Sequence, residues 1–348
     1  MLTATFKNHN LHFKVPAGTS RGVLKTKETW FIILNEEGKT GIGECGILRG
    51  LSIDDRPDFE AKLKWCCENI HLGLPTLYDE LIEFPAIQMG LETAFKSVEA
   101  QDPFQIFPSA FSRGEAGISI NGLIWMGHGE FMKRQISMKL EAGFRCIKMK
   151  IGAIDFNTEI DLLKTIRKEF SATDLELRVD ANGAFLPKEA MEKLSILSKL
   201  QLHSIEQPIR AGQWDEMARL CEFSPLPIAL DEELIGIFSS EEKTRLIQTI
   251  KPQYVIMKPS LIGGFKGCDS WISIADQKEV GWWVTSALES NVGLNAISQY
   301  TFTKKSKLPQ GLGTGSLYTN NISSPLIVRN GSIEYDTNLP WDLKFING

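Results

Sequence analysis

The sequence predicts an α/β protein in which an α+β domain caps a parallel β/α barrel, and three observations predict it. Short apolar runs recur between residues 146 and 258, each one strand plus one helix from the next. These runs end on charged residues, at Lys150, Asp180, Glu206, Asp231 and Lys258, spaced 25–30 residues apart. The first hundred residues lack that rhythm and read as antiparallel strands followed by helices. In a parallel barrel the C-terminal strand ends share one rim, and that rim carries the chemistry.

Taken in order, Leu11–Val15 and Thr29–Leu34 alternate as strands, the second closing on the turn-forming Asn35-Glu36-Glu37-Gly38-Lys39. Helical stripes follow over about 58–70 and 85–100, with Leu91, Ala94, Phe95 and Val98 on one face of the second. Two glycine-flanked stretches, 16–22 containing Arg21 and 43–50 containing Arg49, are expected as flexible loops that exclude water from a site. Asp102-Pro103 begins the crossing to the barrel. The expected boundaries are 1–115 for the α+β domain, completed by a returning segment at about 318–348, and 116–317 for the barrel.

The barrel opens with Ile118–Leu123, and a helix carrying Phe131, Met132, Ile136 and Leu140 stops at Gly143. In Cys146–Ile151 the period of two puts Lys148 and Lys150 on one face and Ile147, Met149 and Ile151 on the other. A helix over 155–170 follows behind the capping candidates Asp155 and Asn157; Pro187 opens the next, and Ser239 with Glu242 has capping-box spacing. Gly281–Thr285 is the seventh strand, with a helix from about Gly293. The eighth position falls near Gln310-Gly311-Leu312-Gly313.

Composition excludes several classes. The 348 residues carry 43% hydrophobic and 23% charged side chains, which suits a globular protein with an ample core. A formal charge of −5 offers no general attraction for nucleic acid or an anionic membrane, and no apolar run approaches a membrane span. The six cysteines lack paired spacing, and residues 1–7 lack the basic start and apolar middle of a secretory signal. The expectation is a cytoplasmic protein acting on a small-molecule carboxylate, with no nucleic-acid or membrane partner.

The charged strand ends specify the chemistry. Three carboxylates, Asp180, Glu206 and Asp231, repel one another at one mouth unless a hard cation joins them, and all-oxygen ligation favours Mg2+, with Mn2+ as a substitute. Asn182 and Glu232 stand next to those ligands and support them. Lys150 and Lys258 flank the metal from opposite sides, and repulsion between Lys148 and Lys150 favours one neutral amine, the requirement for a base near neutral pH. Such a base, with a cation on the substrate carboxylate, suits abstraction of the proton next to that carboxylate.

Lys148-Met149-Lys150, Asp180-Ala181-Asn182, Glu206-Gln207-Pro208, Asp231-Glu232 and Lys258-Pro259 together resemble the enolase superfamily, in its muconate-lactonising-enzyme branch. The resemblance spans nearly the whole chain and implies an N-terminal capping domain on a (β/α)7β TIM-like barrel. It further implies Asp180, Glu206 and Asp231 as magnesium ligands, Lys150 and Lys258 as the acid/base pair, and Lys148 as the lysine that keeps Lys150's proton affinity low. No aspartate lies between Asp276 and Asp336, so the Asp-x-Asp of the dipeptide epimerases is absent. Residues 285–294 and Gly18–Gly22 resemble the o-succinylbenzoate synthase family instead. That likeness implies Mg2+-dependent syn-dehydration of 2-succinyl-6-hydroxy-2,4-cyclohexadiene-1-carboxylate through a metal-stabilised enediolate, a lyase step in menaquinone biosynthesis. Thr285, Ser286 and, from the capping loop, Arg21 are then candidates for the succinyl carboxylate. N-acylamino acid racemase, dipeptide epimerase and muconate cycloisomerase are the alternatives within the branch, and a metal-binding barrel without catalysis lies outside it.

Overall fold

The computed structural model describes residues 1–19 and 22–342. β1 (Thr3–Thr19), β2 (Gly22–Glu36) and β3 (Lys39–Gly46) form an antiparallel meander. β1 and β2 extend well beyond the runs that alternation marks. Their pairing continues from Thr3↔Asn35 to His12↔Thr26 and resumes at Ala17↔Leu24, and Ala4 and Phe6 at one end and Ala17 and Leu24 at the other pack one face against neighbouring clusters. Behind the sheet lie α1 (Phe59–Glu68), α2 (Gly73–Glu80) and α3 (Pro85–Glu99). Trp30, Ile32 and Leu34 meet Leu63, Leu91 and Ala94 there in a core of their own.

The stretch expected as a loop over 43–50 is strand as far as Gly46. A Cβ on Gly43 would lie 1.8 Å from the Gly90 carbonyl oxygen, and one on Gly41 2.4 Å from that of Ala94. These glycines let β3 and α3 touch. Close approach, and not mobility, is their function.

The barrel begins at β4 (Ile118–Ser119), β5 (Gly122–Ile124), α4 (Gly129–Glu141), β6 (Cys146–Lys150) and α5 (Phe156–Glu169). It continues through β7 (Glu176–Asp180), α6 (Pro187–Ser198), β8 (Ser204–Glu206), α7 (Trp214–Phe223), β9 (Ile228–Leu230) and α8 (Ser240–Ile250). β10 (Tyr254–Met257), α9 (Pro259–Ile262), α10 (Gly264–Gln277), β11 (Gly281–Val284) and α11 (Asn291–Thr303) complete the alternation. β5 to β11 are parallel neighbours in chain order. The ring closes through Gln310 and Gly311, which bridge in parallel to Ile120 on one side and Thr285 on the other. This is the short, glycine-rich eighth position of a (β/α)7β barrel.

Local chemistry accounts for the helix starts. Asp155 accepts from the Thr158 backbone N–H at 3.0 Å, and Ser239 and Glu242 make a reciprocal capping box. On the strands, Ile147, Val179, Ile205, Ile228 and Val255 face the helices in one continuous core. Their neighbours in sequence point into the barrel. The chain then touches both domains again: Tyr318 bridges to Phe13 in β1, and the hairpin β12 (Leu326–Arg329) and β13 (Ser332–Tyr335) pairs with β4.

Candidate active site

Every charged strand end named from the sequence is buried at the C-terminal mouth. The parallel register puts Lys150 beside Asp180 and Asp180 beside Glu206, so three successive strands deliver their last side chains to one level. Asp231 follows β9 and Lys258 follows β10. The spacing of the repeat thus becomes a ring.

Within it, cations and anions interleave. Lys150 Nζ donates to Asp180 Oδ2 at 2.5 Å and to Asn182 Oδ1 at 2.8 Å. Lys148 Nζ lies 2.7 Å from Glu206 Oε2 and 3.2 Å from Asp180 Oδ2. Lys258 donates to Asp231 and stands 3.9 Å from Glu206 Oε1. Asn182 is anchored in turn, its Nδ2 donating to Glu232 Oε1 at 3.0 Å. Glu206 Oε1 is buried and accepts no hydrogen bond from the described residues.

Proton affinities follow from this arrangement. Burial, with repulsion from Lys148 and Lys258, holds Lys150 below the usual lysine range against the pull of Asp180. Burial also works against the charge on Lys148, but Glu206 and Asp180 outweigh it and hold that ammonium above the range. Lys258 is likewise held up, by Asp231 and Glu206 in the face of its burial. Among the acids, burial and the charge of Asp180 push Glu206 well above the carboxylate range. Asp180 and Asp231 lie below it, because their lysine partners overcome the cost of burial. Two lysines of one strand are therefore pushed in opposite directions.

The carboxylates have turned toward lysines, and among the described residues no three acidic, histidine or cysteine side chains surround one point closely enough to cage an ion as they stand. The donor set nonetheless suits a hard cation. Three carboxylates come from adjacent strands, one buried oxygen is unpaired, and ammonium groups already neutralise the rest.

Above the ring lies a cavity. Leu24 and Leu48 from the capping domain cover it, and Thr285, Ser286 and Thr314 line it from the barrel. Arg21 lies outside the described residues. Ser286 and Thr314 share a hydrogen bond at 2.7 Å, whereas Thr285 Oγ1 is buried without a partner among the described residues. Asn121, Trp125 and Leu51 also face the cavity, and sequence inspection does not single them out. Asn121 precedes a glycine, lies between β4 and β5 and reads as a turn residue.

The barrel and this ring define a member of the enolase superfamily. Residues 132–339 match the family described as enolase C-terminal domain-like, and the chain belongs to it. Within it, the chain belongs with the o-succinylbenzoate synthases: it is 45% identical to o-succinylbenzoate synthase of Desulfotalea psychrophila over 94% of this chain and 97% of that one. The crystal structure of MenC from Desulfotalea psychrophila is similar, with a TM-score of 0.85 and 41% identity, covering 96% of this chain and 99% of that chain. The dipeptide epimerase of Cytophaga hutchinsonii, solved with Mg and a dipeptide, has a TM-score of 0.84 at 18% identity, covering 100% and 98% of the two chains. At that identity it shares the fold alone. Members of the superfamily generally use Mg2+, and no described helix is long and apolar enough to cross a membrane.

Proposed function

We propose that the protein is a carbon–oxygen lyase, an o-succinylbenzoate synthase that removes water from 2-succinyl-6-hydroxy-2,4-cyclohexadiene-1-carboxylate in menaquinone biosynthesis. The observation that carries this is the full-length identity to such a synthase, joined to an intact ring of Lys148, Lys150, Asp180, Glu206, Asp231 and Lys258. Asp180, Glu206 and Asp231 would hold Mg2+. The bound ion supplies positive charge to the substrate carboxylate and lowers the cost of removing the neighbouring proton.

This chain's residues do the rest. Released from Asp180, the neutral amine of Lys150 takes the proton from the carbon bearing the carboxylate. Lys150 then returns that proton to the hydroxyl leaving from the adjacent carbon on the same face. One C–H and one C–O bond break, a C=C bond forms, and the products are water and an aromatic ring. The ammonium of Lys258 faces the anion from the other side, and Lys148 keeps Lys150 weakly basic. Asn182, held by Glu232, orients Lys150. All six cysteines are free and buried, consistent with work in the reducing cytoplasm.

The test follows ultraviolet absorbance as the protein with magnesium meets this substrate. Rapid aromatisation, abolished by chelator and by Lys150→Ala, is the expected result. A rate no faster than the spontaneous one overturns the assignment.

A further inference from the structure

The three strand ends that carry the carboxylates are joined through one neutral residue. Gln207 directly follows Glu206 and is fully buried. Its backbone N–H donates to the Ala229 carbonyl at 2.9 Å, just before Asp231, and its carbonyl accepts from the Gly183 N–H at 2.7 Å, just past Asp180. The side chain extends the pattern. Its Oε1 accepts from the backbone N–H groups of Asp231 at 3.2 Å and Glu233 at 3.3 Å. Its Nε2 donates to the Ile209 carbonyl and to Glu233 Oε2, both at 3.0 Å. Glu233, itself buried, accepts from the Gly212 N–H at 2.7 Å with its other oxygen. The turns after β7, β8 and β9 are thereby fastened to one another.

The backbone of Gln207 argues that this side chain is required. Its φ is +40°, in the left-handed region where glycine is the default and a long side chain is uncommon. Such a conformation persists only where the surroundings fix it. Here the four side-chain hydrogen bonds do so, and in return they hold the Asp231 turn at a set distance from Glu206. Asn182, with φ +44°, is the corresponding exception after Asp180, and its side chain also bonds across to other strand ends.

These bonds act on the points from which the carboxylates reach. Asp180, Glu206 and Asp231 can turn about their side-chain bonds, but the spacing of the strand ends is fixed by the backbone and by Gln207. A hard cation reads that spacing. Mg2+ demands near-ideal octahedral geometry at short distances, whereas Ca2+ accepts longer bonds and irregular shells, so the choice between them depends on how rigidly the ligands are held. We propose that Gln207 is a positioning residue that makes the site selective for Mg2+ over Ca2+, by locking the three carboxylate-bearing turns at one spacing. This rests on the assignment of Asp180, Glu206 and Asp231 as the ion's ligands.

The test is calorimetric titration of Mg2+ and of Ca2+ into the full chain, with no substrate and no turnover in the readout. Gln207→Met keeps the length of the side chain and removes its four hydrogen bonds. It is expected to weaken Mg2+ binding about 10- to 100-fold and Ca2+ binding by only a few-fold, so that the ratio of the two constants falls. Gln207→Glu keeps the shape but sets a carboxylate against Glu233, and it should lower the ratio as well. Adding Glu233→Gln returns a donor to that pair with its direction reversed, and the double variant should recover the wild-type ratio. A residue needed only for folding would leave the ratio unchanged. Gln207→Glu decides the matter where Gln207→Met does not fold. An unchanged ratio in the folded single variant overturns the proposal, and so does a ratio that stays low in the double variant. Wild type that binds neither ion overturns the ligand assignment itself, and the proposed selectivity falls with it.

Discussion

The mouth and the floor of this barrel both bury charge, and they do so to different ends. At the floor, Arg178 is 1% exposed, yet it is bound on several sides. Its Nε donates to Glu176 at 2.7 Å, one Nη to the Pro309 carbonyl at 2.9 Å, and the guanidinium lies 4.2 Å from the centre of the Trp283 ring. Glu176, on the same strand, is partly exposed and also accepts from the Cys146 thiol at 3.4 Å. At the mouth, three lysines and three carboxylates share one another's protons and fields. The floor holds its cation with a carboxylate, a backbone carbonyl and an aromatic ring, whereas at the mouth each lysine faces carboxylates and its neighbours' charges, the kind of setting that shifts proton affinities.

Removing Lys150, the proposed base, should separate the two regions most sharply. Lys150→Ala is expected to lower kcat about 10²- to 10⁴-fold, with circular dichroism and urea midpoint near those of wild type. Unfolding of this variant would mean that the mouth holds the barrel together and that the contrast is false. The floor should respond inversely. Arg178→Met is expected to cost about 2–4 kcal/mol in urea denaturation, because it strips a buried pair and releases the closing strand at Pro309. Turnover per folded molecule should stay within a few-fold, and a large fall in kcat with stability intact would place Arg178 in the chemistry.

A third substitution sharpens the contrast within the mouth. Lys150 is held below the usual lysine range by burial and by repulsion that includes Lys148. Lys148→Met removes that repulsion, so the proton on Lys150 becomes harder to lose. As the proposed base, Lys150 acts only when neutral, and the acidic limb of kcat/KM should therefore move to higher pH. A limb that stays in place, or moves down, removes Lys148 from the control of Lys150.

The difference between the regions also explains what the sequence made legible. Lys150, Asp180, Glu206, Asp231 and Lys258 were visible because each ends an apolar run, and the period of a parallel barrel carries such ends to one level. Arg178 sits in mid-strand, where alternation assigns it the same face as Asp180 but not its depth. Asn121 was hidden for another reason: that it faces the cavity depends on the tertiary environment alone. Gly43 lies in a stretch that reads as a loop and is strand, since a turn and a close helix contact demand the same residue. β1 and β2 run beyond the stretches that alternation marks because backbone pairing continues through outer segments in which few residues are fully buried.

A buried acid remote from both mouth and floor provides the smallest and most controlled test. Glu92, on α3, accepts from the backbone N–H groups of Phe265 at 2.5 Å and Lys266 at 3.1 Å, so the capping domain satisfies the first turn of barrel helix α10. Burial pushes its carboxyl from 4.5 up to about 7, although those N–H groups pull it down. The folded state therefore keeps a proton that the unfolded state has released over that interval. Stability must fall as pH rises from about 4.5 to 7 and level off above it. Glu92→Gln keeps an acceptor for α10 and removes the titration, so its urea midpoint should be flatter than that of wild type from pH 5 to 7 and run parallel to it above pH 8. Parallel profiles throughout would mean that Glu92 is charged at the interface across the whole range, and that the α10 backbone N–H groups hold a carboxylate at the joint between the domains without the lysines that the mouth uses.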